Sequence, residues 1–348
     1  MKKKIVFIIS ISLLSLFLIE VTLRNILPDF VSTIEFDRNK GYSYKKYLNK
    51  RFSYNDTQIN FKTNGFGYRD DEWENKISIA VIGDSIVAAL GNHKHKRFTE
   101  ILEKKIKSNG TNLQVLNMGV NGQNVVNFIN SVNFVKNQQN PQKILLFLST
   151  TDDFHFDEFR TIHKRKLYKY YLRNNDVVSI QSDLNSYELI KRIMIESTKK
   201  MVLGDVILTS ISNLKKTIFN ESKKKIESNL ELKGNKLCST SVFIPENRLK
   251  VLESLLLEVN KIDENISFIL SPARENFFES ALKCDKKKNV IIWFDEFIQK
   301  ENLRGVNLIN FLRNENPSKL FLDGAHYNDL LHSKIADIIY EEIIDSNY

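Results

Sequence analysis

Four short stretches hold residues that can do chemistry together. "VIGDSIVAAL" stops an apolar run at Gly83-Asp84-Ser85, and "LNMGVNGQN" supplies Gly119 and Gly122. "STTDDF" supplies Asp152 and Asp153, and "LFLDGAHYN" supplies Asp323 and His326. A serine hydroxyl is a weak nucleophile until a base takes its proton, and an imidazole that titrates near neutrality suits that task. An aspartate three residues before the histidine can fold back onto the ring's other nitrogen and fix its tautomer. Attack on a carbonyl creates an oxyanion, for which glycine-loop amides and the serine's own amide are donors. The chemistry legible in this set is acyl transfer through Ser85, with His326 as base and Asp323 orienting it.

Each residue alone is ordinary. Serine is a favoured helix N-cap, so Ser85 by itself reads as a turn residue capping the next helix. A loop glycine such as Gly122 often does no more than permit a positive φ. What raises the set above its members is placement. Strand-like apolar runs occur at Ile77–Ile82, Leu113–Asn117, Lys143–Ser149, Ile266–Ser271 and Val306–Phe311, with helical stretches between them. Continuous apolar strands alternating with helices imply a parallel sheet covered on both faces. Ligands of such sheets sit beyond the carboxyl ends of the strands, where Ser85, the glycine loop, the Asp152 turn and the Asp-x-x-His all fall.

The long stretch from about 155 to 262 exceeds what a crossover needs, so it reads as an insertion. Leu203, Ile207, Ile211, Leu214 and Ile218 recur at helical steps, as do Leu252, Leu255, Leu256 and Val259, so the insertion is expected to be mainly helical. Leu331, Ile335, Ile338 and Ile339 mark a closing helix. Residues 24–76 form an extension that ends in "FKTNGFGYRDDEW", a stretch rich in turn signals.

At the amino terminus three lysines precede a charge-free run from Ile5 to Ile19, with Glu20 interrupting it. Lysines before such a run hold that end in the cytoplasm and send the downstream chain across the membrane. No small-residue cleavage site comes after it, so residues 1–23 read as a signal anchor rather than a signal peptide, with the catalytic part outside the cytoplasm. If the segment is cleaved, the chain is secreted. The 348 residues carry a net charge of +9 and 27% charged side chains, ordinary for a globular chain with a sizeable core. The basic excess has no nucleic-acid motif beside it, so a surface near anionic lipid or acidic polysaccharide is the expectation and nucleic acid is not. Cys238 and Cys284 make no metal site or disulfide framework, though they can pair outside the cytoplasm. His93 and His95 lack a third ligand at suitable spacing and read as a solvated loop; His155 lies close to the Asp152 turn and is a candidate for a specificity role.

In the order and spacing of "VIGDSIVAAL", "LNMGVNGQN", "LLFLSTTDDF" and "DGAHYN", the chain resembles the SGNH, or GDSL-like, hydrolases over about residues 77–154 and 266–345. With "NGFGYRD" ahead of the first strand it looks like their membrane-anchored bacterial branch. The resemblance implies a three-layer α/β/α sandwich around a parallel, flavodoxin-like five-stranded sheet in an SGNH-like domain over 77–348. It implies Ser85 as nucleophile, His326 as base and Asp323 as its orienting acid. Ser85 and Gly122 then supply oxyanion amides, while Gly119 allows a tight turn. The implied activity is hydrolysis of O-acyl, chiefly O-acetyl, esters on a cell-envelope or secreted glycan, without metal or cofactor. Polysaccharide-biosynthesis proteins of the envelope are its implied partners.

One position departs from the family pattern. Asp152 stands where the family has an asparagine that donates to the oxyanion, and an ionised carboxylate can only accept. Loss of one such donor costs on the order of a hundredfold to a thousandfold in rate. Either Asp152 is protonated, or Asn121, Asn124 or Thr151 replaces it, or activity is weak. Two other outcomes are compatible with the same motifs: transfer of the acyl group to a sugar hydroxyl, and a catalytically retired fold that binds polysaccharide or an envelope partner.

Overall fold

The computed structural model describes residues 2–26, 33–150, 159–183, 243–277 and 287–344, apart from 38, 55–56, 75–76, 164–165, 174–175 and 324–325. Ile34–Asp183 and Leu237–Tyr348 make one compact unit; Met1–Thr33 with Leu184–Lys236 makes the other. Of the latter, helix α1 (Lys2–Ile26) is the described element. Among the described residues no helix is long and apolar enough to cross a membrane. The spanning anchor expected over 1–23 is therefore not supported. The charge-free run closes at Ile19, short of the roughly 20 apolar residues a span requires.

The larger unit begins with two antiparallel hairpins, β1 (Ile34–Asp37) with β2 (Gly41–Tyr44) and β3 (Asn49–Tyr54) with β4 (Thr57–Lys62). Five strands then build the central sheet: β5 (Ser78–Gly83), β6 (Gln114–Gly119), β7 (Lys143–Ser149) and, further along the chain, β12 (Ile266–Ser271) and β14 (Arg304–Asn307). Every pairing is parallel and the order is β6-β5-β7-β12-β14. This is the expected flavodoxin-like arrangement, with its switch point at β5, the strand that ends in Ser85's turn.

Alternation along the strands makes two cores. Ala80, Ile82, Leu146, Leu148, Phe268 and Leu270 face one layer, made by α3 (Val125–Gln138), α4 (Glu246–Ile262) and α5 (Val290–Lys300). Ile79, Val81, Leu145, Phe147 and Ile269 face the other, made by α2 (Phe98–Ser108), α6 (Leu308–Leu312) and α7 (Asp329–Ile339). A strand covered on both faces has no polar side, so β5 and β12 are buried at every position. The result is the three-layer sandwich.

Two expectations need correction. The last sheet strand is Arg304–Asn307, not Val306–Phe311. The Asn307 side chain accepts a hydrogen bond from the Ile309 amide (3.2 Å) and caps α6, which turns the apolar residues after it into helix. The second concerns the insertion, which is not mainly helical at its start. Strands β8 (Phe159–His163), β9 (Lys166–Arg173) and β10 (Asp176–Asp183) form an antiparallel meander. Tyr and β-branched residues crowd "KLYKYYLR" and "DVVSIQSD", and a two-residue Asn-Asn link joins them, a combination that favours hairpins. The periodic stretch Leu203–Ile218 lies outside the described residues. Leu252, Leu255, Leu256 and Val259 are buried on α4 as expected. A short β11 (Phe243–Pro245) pairs with β13 (Lys287–Asn289).

The "NGFGYRD" stretch braces the loop that carries Ser85. Arg69 is almost fully buried, and its guanidinium donates to the carbonyls of Ala88 (2.9 Å), Ala89 (2.5 Å) and Asn92 (2.6 Å). Burial, reinforced by Arg97, lowers its pKa to about 9, which leaves it charged at neutral pH. Arg97 in turn donates to the Arg69 carbonyl. Next to it, one oxygen of Asp70 accepts from the β6 amide of Asn117 (3.0 Å) and from the Trp73 indole (3.0 Å).

Burial raises the Asp70 pKa to about 7, above the ~3.9 of an unfolded aspartate. Between about pH 4 and pH 7 the folded chain keeps a proton that the unfolded chain has released. The stability from Asp70 is thus complete below about pH 4 and disappears as pH rises through about 7. Asp70→Asn can accept both donors with its single carbonyl oxygen, so it should flatten stability against pH in that window. Urea unfolding at pH 5 and pH 7.5 checks this; an equal pH slope in both proteins would contradict it.

Candidate active site

Ser85 lies two residues past the end of β5, but no helix begins there. Residues 84–91 run as successive turns and α2 starts only at Phe98. Ala89 (φ 53°) and Gly91 (φ 91°) leave the helical region, and Arg69 takes carbonyls that a helix would have used. The Asp84 carboxylate accepts from the Ile86 amide (2.8 Å) and holds the first turn. Ser85 is therefore not the cap of a helix. Its Oγ lies 3.2 Å from His326 Nε2.

The histidine loop is built to hold that contact. A bridge between Phe321 and Tyr327 brackets it, and the Leu322 amide donates to the His326 carbonyl (2.8 Å). Asn328 caps α7 through the Leu331 amide (3.1 Å), and Asn92 donates to the Tyr327 carbonyl (2.7 Å). Asp323 folds back as its spacing predicts. One carboxylate oxygen accepts from the His326 amide (2.8 Å), and the other lies 2.9 Å from Nδ1. Carboxylate on Nδ1, imidazole Nε2 on the hydroxyl: the order of groups is that of a general-base relay. Ser85 is 6% exposed, and the side chains of His326 and Asp323 are 20% and 35% exposed. His326 and Asp323 thus lie at the edge of solvent, while Ser85 is nearly buried.

The glycine loop is placed differently from the expectation for Gly119. That residue is the last of β6, and a methyl group on it would lie 2.0 Å from the Ala88 nitrogen. Its role is close approach to the Ser85 loop and not a turn. Gly122 makes the turn, with φ 77°. Of the substitutes for Asp152, Asn121 donates its backbone amide to the buried Tyr44 hydroxyl (3.0 Å), and Asn124 uses its side-chain oxygen to cap α3. Asp152, Asp153, Thr151, His155, Cys238 and Cys284 lie outside the described residues. His93 and His95 stack on each other, with ring centroids 5.9 Å apart. No group of three His, Cys, Asp or Glu among the described residues is arranged to hold a metal ion.

One residue at the site goes beyond the sequence expectations. Tyr54, the last residue of β3, places its hydroxyl 2.7 Å from His326 Nδ1 and within hydrogen-bond reach of Asp323. Its ring meets the imidazole edge to face at 5.6 Å. Nothing in the sequence around "RFSYND" marks it, since the contact spans most of the chain and depends on where the hairpin docks.

No family model matches the chain, and no curated protein does. Among solved structures the chain is similar to TesA (11% identity, TM-score 0.42, covering 77% of this chain and 98% of that one). It is also similar to the lipase/acylhydrolase from Enterococcus faecalis (12%, 0.40, 77% and 95%). A third is the Clostridium thermocellum family 3 carbohydrate esterase (14%, 0.39, 78% and 96%). Scores this low assign this chain neither an activity nor a substrate.

Proposed function

We propose that this protein is a serine esterase that removes O-acyl groups, chiefly O-acetyl, from a cell-envelope or secreted glycan. The observation that carries the reading is the continuous contact from Asp323 through His326 to Ser85 at the carboxyl edge of the sheet. In the proposed reaction His326 Nε2 takes the Ser85 proton as Oγ attacks the ester carbonyl. The amides of Ser85 and Gly122 face the oxyanion. The imidazolium then protonates the departing sugar oxygen, leaving an acyl-serine. Water, deprotonated by the same nitrogen, attacks that ester and releases the free acid and Ser85.

The same reading places the catalytic unit outside the cytoplasm, exported by residues 1–23. Supporting it are Lys2, Lys3 and Lys4 ahead of the charge-free run, and the exposed Phe7, Leu14 and Phe17 on α1. Recovery of the native chain from the cytoplasm alone would overturn this part.

The activity is tested with purified protein, an activated acetyl ester and an acetylated glycan. The expected result is free acetate, formed without any sugar acceptor. Product that appears only when a glycan acceptor is supplied would make the protein an acyltransferase. An absence of turnover, together with no labelling of Ser85 by a fluorophosphonate, would leave a binding protein built on this fold.

A further inference from the structure

We propose that Tyr54 is a positioning residue of this site, clamping Asp323 and His326 in register and making docking of the β3–β4 hairpin a condition for activating Ser85. The inference rests on the esterase reading for its consequence in rate, but not for its geometry.

Proton accounting fixes the arrangement. An ionised Asp323 has no proton to give, so the short contact with Tyr54 is the phenol donating to the carboxylate. The phenol has one proton, so its oxygen is left to face Nδ1 as an acceptor, at 2.7 Å. Nδ1–H is then shared between Asp323 (2.9 Å) and Tyr54, both of which require the proton on Nδ1. Nε2 is thereby left as the bare base facing Ser85. Burial, and then the hydrogen bond and charge of Asp323, push the Tyr54 phenol well above its ordinary pKa, so the donor stays protonated across the working range.

The seat of the ring is also built. Gly91 lies against Tyr54, and a methyl there would come within 2.9 Å of the ring and 2.6 Å of Leu322. Gly91 belongs to the loop that begins at Ser85, so the tyrosine touches both halves of the site. Among the described residues, the titratable groups in contact with the imidazole are Asp323 from its own loop, Tyr54 from the hairpin and Ser85 from the β5 loop. Asp84, close by in sequence, turns one oxygen to the Ile86 amide.

The test uses the full chain with Tyr54→Phe, which keeps the ring and its seat and removes the hydroxyl. Ring-nitrogen NMR of histidine-labelled protein, with His326 assigned by His326→Gln, tracks protonation without any need for catalysis. Without the phenolic proton Asp323 presents its full charge to Nδ1–H. That gain exceeds the loss of a neutral acceptor, so the His326 midpoint should move to higher pH. The acid limb of fluorophosphonate labelling at Ser85 should move with it, and the neutral-pH rate should fall roughly tenfold, as for one hydrogen bond to a charged group. An unmoved or lowered midpoint overturns the inference, as does a slower rate with an unmoved pH profile, which would mark Tyr54 as mere packing. Wild-type protein that resists labelling sinks the esterase reading instead, and the NMR midpoint still decides the role of Tyr54.

Discussion

Ser85→Ala is expected to abolish both ester hydrolysis and fluorophosphonate labelling while leaving the protein folded. The reagent needs an oxygen that can attack phosphorus and expel fluoride, and alanine has none. Removing the nucleophile of a comparable relay lowers kcat on the order of 10^5–10^6-fold, because the remaining parts act only through it. What survives is binding and oxyanion stabilisation, on the order of 10^3-fold over water. The variant isolates chemistry from structure. Ser85 caps no helix, and its hydroxyl meets His326, so the loss amounts to one hydrogen bond of about 1 kcal/mol. The turn that holds it depends on Asp84 and Arg69, which are untouched. Rate measurement on the acetyl ester, with thermal unfolding alongside, checks both halves. Turnover that survives in Ser85→Ala would show that a different group attacks.

Much of this site is legible in the sequence because it is local. Gly-Asp-Ser at the end of an apolar run and Asp-x-x-His ahead of a helix are short-range patterns. The sheet that unites them announces itself as continuous apolar runs. Asp323 reaches Nδ1 of His326 from three residues away, and the fold brings Ser85 to Nε2. The departures have physical causes of their own. Small apolar residues after Ser85 suggest a helix, yet Arg69 from a distant stretch removes the carbonyls on which a helix depends. Gly119 has the look of a turn glycine, since sequence does not record that the Ala88 backbone passes so close to it. The meander at 159–183 is masked by the stronger helical periods downstream of it in the same insertion. Tyr54 is invisible for the most general reason: a tyrosine at a hairpin end acquires a role only from what the hairpin touches.

Asp323→Asn should leave the loop in place and remove most of the catalysis. The amide of the asparagine has one oxygen and one nitrogen where the carboxylate had two acceptors. If its oxygen keeps the His326 backbone amide (2.8 Å), its NH2 faces Nδ1 and also the Tyr54 hydroxyl. A donor at that place favours the tautomer with the proton on Nε2, which then points at Ser85 and cannot accept its proton. In relays of this kind the wrong tautomer costs on the order of 10^4-fold in kcat. Binding is spared because Asp323 contacts the base and not the acyl group, so KM should move little. The predicted signature is a large fall in kcat with a nearly constant KM, partly reversed at high pH, where hydroxide supplies the base the site has lost. Pre-steady-state acylation of Ser85 across pH 6–10 measures it. Asp323→Asn with wild-type acylation at pH 7 would mean that Tyr54 alone holds the histidine, and that the carboxylate is dispensable.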